Sequence, residues 1–312
     1  ATTVAEARHL ASFDIPILIS GPFGSGKGAL AQAMHGASLR ADRPYLSLDL
    51  SGLSTEALRI ELCGLRNNGS SRVGLFARAT RGTLFLNGID TLAPDLQMWL
   101  SRILRSQNFT AEGASDAQRL DLRLICGSTT DLRRAVAEGT FRADLYHAIA
   151  LGQLQVPALS DRPDDIPLLA QHMLFEAAVT HSKTVRGFTE DAMQFLSAFA
   201  WPGNLPELRN EVTRMLVYAQ DPVLGSELIS RHILQAQPGD TDPGEDAVLS
   251  GTGPLKDRVE AIEKRILREA LTRLKWNKSR AAQELGLSRV GLRAKLDRYG
   301  LSPGVIECVE ES

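Results

Sequence analysis

The stretch IPILISGPFGSGKGALAQAMH (Ile15–His35) constrains the fold more than any other part of the chain. A short apolar strand runs into GPFGSGKG (Gly21–Gly28), whose spacing fits G-x-x-x-x-G-K, and a helix follows at once. Glycines there let backbone N–H groups turn inward around phosphate oxygens. The helix N-terminus adds a favourable dipole. Gly21, Gly24, Ser25, Gly26, Lys27 and Gly28 are therefore the candidate nucleotide-binding residues, with Lys27 reaching the outer phosphates. The pattern ends in Gly28, where a hydroxyl commonly helps hold magnesium. A tight glycine turn would leave the same trace, but the strand–loop–helix setting favours phosphate binding.

The rest of the first two-thirds continues the alternation. Tyr45–Leu50, Thr83–Asn87, Leu122–Ser128 and Leu151–Pro157 read as buried strands, separated by helical stretches such as Ala93–Leu104. This is the pattern of a parallel α/β sheet covered on both faces. From Asp164 the strands stop, and Ile166–Val179, Thr189–Phe199, Asn204–Ala219 and Gly225–Gln235 read as a helical lid. Pro238–Pro254 is rich in Gly, Pro and Asp and reads as a linker. Leu255–Lys275 then resumes as one long helix followed by two short ones. The expected division is an α/β core over 1–165, a lid over 166–236, a linker over 237–253, an all-α module over 254–301 and a tail over 302–312.

Composition excludes several classes. No apolar run is long enough for a membrane span, and the start has no signal-peptide core. Beginning in mid-pattern, it reads as a piece of a longer chain. Cys63, Cys126 and Cys308 are too scattered for a disulfide framework or a zinc site, so a cytoplasmic protein with reduced thiols and no metal centre is expected. Charge is uneven. Pro254 to Gly300 holds 13 Lys and Arg against 6 Asp and Glu, a net +7, which leaves −9 for the rest of a chain whose total is −2. A basic module on an acidic body points to a nucleic-acid partner.

Further stretches resemble one family. ELCG (Glu61–Gly64), GTLFL (Gly82–Leu86), GTFRADLYHAI (Gly139–Ile149), DRPDDIPLLAQHML (Asp161–Leu174) and WPGNLPELRN (Trp201–Asn210) resemble the AAA+ domain of bacterial enhancer-binding proteins, which hydrolyse ATP to remodel RNA polymerase carrying sigma-54. WNKSRAAQELGLSRVGLRAKLDRYGL (Trp276–Leu301) resembles their Fis-type helix-turn-helix, especially that of the hydrogenase-gene regulators HupR and HoxA. The resemblance implies an AAA+ P-loop sheet with a helical lid, then an all-α DNA-binding domain. It also implies the output part of a two-component response regulator. Relatives carry a receiver domain, answering to a sensor kinase, that this sequence lacks.

The departures from the family carry as much information. Where relatives place an Asp-Glu pair after the Walker B strand, this chain has Asn87 and Gly88. Asn87 brings no charge to organise magnesium, and Gly88 no carboxylate to orient water. Phosphoryl transfer depends on positioning and charge neutralisation, so both losses are severe. The sensor asparagine aligns with Thr129. Of two arginines that reach a neighbouring subunit's nucleotide, Arg142 is kept and the second is Ala148; such an arginine is worth about 10³–10⁵ in rate in other systems. The lid arginine that senses the γ-phosphate aligns with Pro206, tolerable in the first turn of a helix. The sigma-54-contacting loop is missing from Leu65–Arg81, where RNNGSS reads as a short surface turn.

In the C-terminal module, Leu255, Val259, Ile262, Ile266, Ala270 and Leu274, or Leu267 on the flank, space as one apolar stripe for packing and dimerisation. Asn277 reads as a cap, Ser279–Leu285 as the first helix, Gly286 as the turn and Ser288–Tyr299 as the recognition helix. With Leu285, Leu287, Leu292 and Leu296 inward, Ser288, Arg289, Gly291, Arg293 and Lys295 face outward. Arg289 is placed to read a base. Asn277, Ser279, Arg280, Arg293 and Lys295 are phosphate contacts that position the module.

The expected protein is a DNA-binding transcriptional regulator. No cofactor is required, with ATP or ADP the ligand of the degenerate phosphate loop. Its partners are promoter DNA with inverted repeats, RNA polymerase and further copies of itself. Two alternatives stay open: a slow sigma-54-type ATPase with Asp90 or another acid standing in for the lost pair, and a nucleotide-sensing oligomerisation switch.

Overall fold

The computed structural model describes residues 2–67, 70–235, 267, 271, 278–287 and 289–299. The chain divides into two compact units, 1–238 and 239–312.

In the first unit, strands β1 (Ile17–Ser20), β2 (Tyr45–Asp49), β3 (Thr83–Asn87), β4 (Arg123–Ser128) and β5 (Gly152–Gln155) form one sheet. The spatial order is β2-β3-β4-β1-β5, and every neighbouring pair is parallel. The central strands are apolar runs because both of their faces are covered. Alternation then splits the core. Leu84, Leu86, Leu124 and Cys126 face helices Thr55–Cys63, Pro94–Ser106 and Ala143–Ile149. Ile17, Ile19, Phe85 and Ile125 face helices Thr2–Ala11 and Lys27–Gly36. Register sets Asp49 beside Asn87, Asn87 beside Gly127 and Ser20 beside Ser128, so these residues share the C-terminal edge of the sheet. In open α/β sheets the ligand crevice lies outside that edge.

The lid helices Ile166–Thr180, Glu190–Ala198 and Asn204–Tyr218 enclose their own core around Trp201, Leu208, Met215 and Leu224. Three expectations need correction. Strands do not stop at Asp164: Gly187–Phe188 pairs in parallel with Val223–Leu224 inside the lid. Gly225–Gln235 is not one helix but a 3₁₀ turn, Ser226–Leu228, then a helix over Arg231–Gln235. Extended Ile229 separates them, because the N–H and hydroxyl of Ser230 both donate to the buried Glu211 carboxylate. The polar interval read as a turn is an antiparallel hairpin, Gly64–Asn67 with Ser70–Val73. It is anchored where the N–H of Arg66 donates to Glu112 O at 2.8 Å and that of Glu112 to Gly64 O at 3.0 Å.

In the second unit, helices Lys278–Glu284 and Arg289–Tyr299 flank Gly286, whose φ of +65° makes the turn between them. Leu267, Leu271, Ala281, Ala282, Leu292 and Leu296 form its buried cluster, with Leu285 and Leu287 against it. Leu267, which the sequence places on the flank of the stripe, is thus buried together with Leu271. Leu255, Val259, Ile262, Ile266, Ala270 and Leu274 lie outside the described residues. Among the described residues, no helix is long and apolar enough to cross a membrane.

Candidate nucleotide and DNA sites

The phosphate loop leaves β1 at Ser20 and enters helix Lys27–Gly36. Gly24 and Gly26 take φ of +71° and +101°, the left-handed region that glycine enters without cost. Gly26 caps the helix with no side-chain hydrogen bond, so the first helical amides stay available to an anion. Lys27 is buried, and its Nζ donates to Gly21 O at 2.7 Å and Pro22 O at 2.9 Å. Burial lowers its pKa, partly opposed by the charge of Asp90. Ser25 is buried and its hydroxyl has no partner among the described residues. Gly28, the second residue of the helix, lies beside the Phe85 ring, 3.6 Å from where its Cβ would stand. This cradle fits a phosphate group.

It does not fit magnesium. Asn87 turns its amide away to donate Nδ2 to Asp49 Oδ2 at 2.7 Å. Asp49 is thereby committed, since the Ser51 N–H and hydroxyl also donate to its Oδ1. Burial would raise the Asp49 pKa, but the bonds from Ser51 and Asn87 outweigh it and the net shift is downward. Gly88 has φ +75° and ψ 36° and starts the 3₁₀ turn Ile89–Thr91. A glutamate there would pay for a left-handed backbone, about 1–2 kcal/mol. Asp90 Oδ2 accepts from the Thr129 hydroxyl at 2.7 Å and its N–H at 3.2 Å, while Oδ1 is buried with no partner among the described residues. Among the described residues no cluster of three metal-ligating side chains occurs.

Arg142 sits at the N-cap of helix Ala143–Ile149 and closes a bidentate pair on Asp144, 2.9 Å from each nitrogen. That pair, helped by Ser101, holds the Asp144 carboxyl down at about 2 against the mild opposing effect of burial. Arg142 is therefore engaged within its own subunit. Ala148 lies half-buried on the same helix. Pro206 is the third residue of helix Asn204–Tyr218 and packs on the phosphate loop: a Cβ on Gly24 would lie 2.6 Å from Pro206 Cδ. The loop, Asn87, Gly88 and Pro206 thus converge on one crevice, whereas Arg142 and Ala148 lie on a separate helix.

In the second unit, Arg289 is the first residue of its helix, and Gly291, Arg293 and Lys295 follow along it. Arg293 and Arg280 are exposed, while Gly291 and Lys295 are half-buried. Ser279 lies in the preceding helix. Asn277 and Ser288 fall outside the described residues. Two leucines turned inward and basic residues on the same helix fit the recognition helix of a helix-turn-helix. Sequence reasoning missed Asp49 and Arg162 as partners of the first site. Neither carries a local signal, since register and lid packing alone bring them there.

The fold and crevice define a P-loop α/β protein with a helical lid, joined to a helix-turn-helix module. The Sigma-54 interaction domain family matches residues 1–155, the AAA+ ATPase lid domain family residues 160–246, and the Fis family of bacterial regulatory proteins residues 258–299. The chain belongs to this family of sigma-54-interaction-domain transcriptional regulators. It is 37% identical over 301 residues to the hydrogenase transcriptional regulatory protein HoxA of Cupriavidus necator, covering 95% of this chain and 62% of that one. It is 36% identical to the regulatory protein AtoC of Escherichia coli, covering 96% of this chain and 65% of that protein. Among solved structures, NtrX of Brucella abortus in complex with ATP is similar, with TM-score 0.68 and 31% identity over 96% of this chain and 67% of that one. The chain thus spans somewhat under two-thirds of the length of these curated relatives.

Proposed function

We propose that this protein is a transcriptional regulator whose AAA+ domain acts as a non-hydrolysing scaffold and whose C-terminal module grips promoter DNA. The observation that carries the reading is Asn87 tied to Asp49 beside a left-handed Gly88, where the reaction needs free carboxylates. Phosphoryl transfer without that charge lacks the metal and the oriented water on which it depends. The phosphate cradle remains, so ATP or ADP is a ligand rather than a fuel. The module pairs as a dimer on inverted half-sites about 34 Å apart, or a multiple of it. Further copies assemble through the scaffold, the upstream partner is a receiver domain with its sensor kinase, and the setting is the cytoplasm. Likeness to HoxA makes hydrogenase genes the first targets to test.

The short hairpin between Cys63 and Gly74 replaces the loop by which relatives engage sigma-54, so the protein works on polymerase without remodelling the sigma-54 form. The expected result in a reconstituted promoter assay is no ATP-dependent open complex with sigma-54 polymerase, while promoter binding persists. Open-complex formation that requires hydrolysable ATP would sink this reading.

A further inference from the structure

The lid and the segment leading into it grip the phosphate loop through three consecutive loop carbonyls. Asn204 Nδ2 donates to Phe23 O at 2.8 Å, the Leu205 N–H to Gly24 O at 3.1 Å, and Arg162 Nη2 to Ser25 O at 2.6 Å. Asn204 is 4% exposed and carries a second load: its Oδ1 accepts from the Leu159 N–H at 2.8 Å, tying the lid to the segment that leaves β5. Its φ of +54° is one that asparagine tolerates better than most residues. Pro206 adds contact, since a Cβ on Gly24 would be 2.6 Å from Pro206 Cδ and 2.8 Å from Gly203 O. Proline at 206 fills the space against the loop backbone. All these groups act on the carbonyl side of the loop. The amides that begin helix Lys27–Gly36 are left for an anion.

We infer that Arg162, Asn204, Leu205 and Pro206 form a latch that holds the lid closed on the phosphate loop whether or not nucleotide is bound. Core and lid then keep one relative setting, and nucleotide cannot change it because the bonds that fix it do not pass through phosphate. A ligand shifts an equilibrium only by its differential affinity for the two states, and a lid already latched leaves little to differ. The inference rests on the scaffold reading, yet fails separately from it: hydrogen exchange reports the latch, whereas phosphate release reports turnover.

The test is amide exchange on the whole chain with and without magnesium and ATP. Wild-type amides of 203–208 are expected to exchange at rates within about twofold in the two conditions, whatever protection bound phosphate gives the loop amides themselves. Asn204→Asp keeps the acceptor for Leu159 but replaces the donor to Phe23 O with a carboxylate oxygen. It is expected to speed exchange of the Leu205 amide by about tenfold, the scale of one hydrogen bond's net worth, with strand β4 unchanged. Arg162→Met, which removes the bond to Ser25 O and a 4.0 Å ion pair with Asp165, should speed the same amide and serves if the first variant does not fold. Nucleotide slowing the 203–208 amides of the wild type about tenfold would overturn the latch, as would both variants exchanging like wild type.

Discussion

Replacing Trp201 with alanine is expected to destabilise the lid by about 3–5 kcal/mol, the range for emptying a large aromatic from a packed core. Trp201 is 1% exposed and is among the largest side chains fully buried in the first unit. Its Nε1 donates to Leu196 O at 2.8 Å, so the polar end is satisfied as well as the apolar body. Phe199 meets the ring edge-on at 5.0 Å and 82°, and would lose that partner. Surrounding structure relaxes only in part when a core side chain is removed, so a cavity term adds to the lost transfer energy. The effect reaches the crevice, because Trp201 O accepts the Asn204 N–H at 2.8 Å and Asn204 holds the phosphate loop. Urea denaturation followed by circular dichroism checks this. A loss under about 1 kcal/mol would mean that the lid repacks and that its core is less specific than described.

The second large effect concerns DNA. Arg289→Ala is expected to weaken binding to the preferred operator by about 1–3 kcal/mol, or roughly 5- to 150-fold. Arg289 begins helix Arg289–Tyr299, and N-terminal residues of a recognition helix contact base edges. Arginine there can bond O6 and N7 of guanine together, and the loss should fall on one base position. Arg293→Ala, one turn further on and exposed, should instead weaken all sequences alike and reduce the salt slope by about one. Competition binding on operators selected from random DNA by the wild-type protein separates the two. A uniform loss from Arg289→Ala would make it a backbone contact.

Much of this architecture was legible because parallel strands buried on both faces must be apolar throughout. Thr83–Asn87 and the run ending at Ser128 declare themselves for that reason, and glycine spacing declares the loop between β1 and its helix. What escaped sequence reasoning is tertiary. Asp49 ends an unremarkable strand and matters only because register puts it beside Asn87. The bond from Thr129 to Asp90 joins residues whose pairing no local pattern encodes. From sequence Asp90 is one candidate stand-in for the missing acids; its bond from the Thr129 hydroxyl is visible only in the fold. The two-residue strands of the lid have no periodicity to detect, and the polar hairpin after Cys63 lacks the alternation of a half-buried strand. Asn204 looked like the start of a helix and proved to be the pin between lid and loop.

The central claim is that a cradle able to take phosphate has lost the charge needed to split it. The most direct test measures inorganic phosphate released from ATP and magnesium by the purified chain beside its Lys27→Ala variant. Equal rates at the level of background are predicted, whatever nucleotide the wild type binds. Steady turnover by the wild type that disappears with Lys27 would contradict the account.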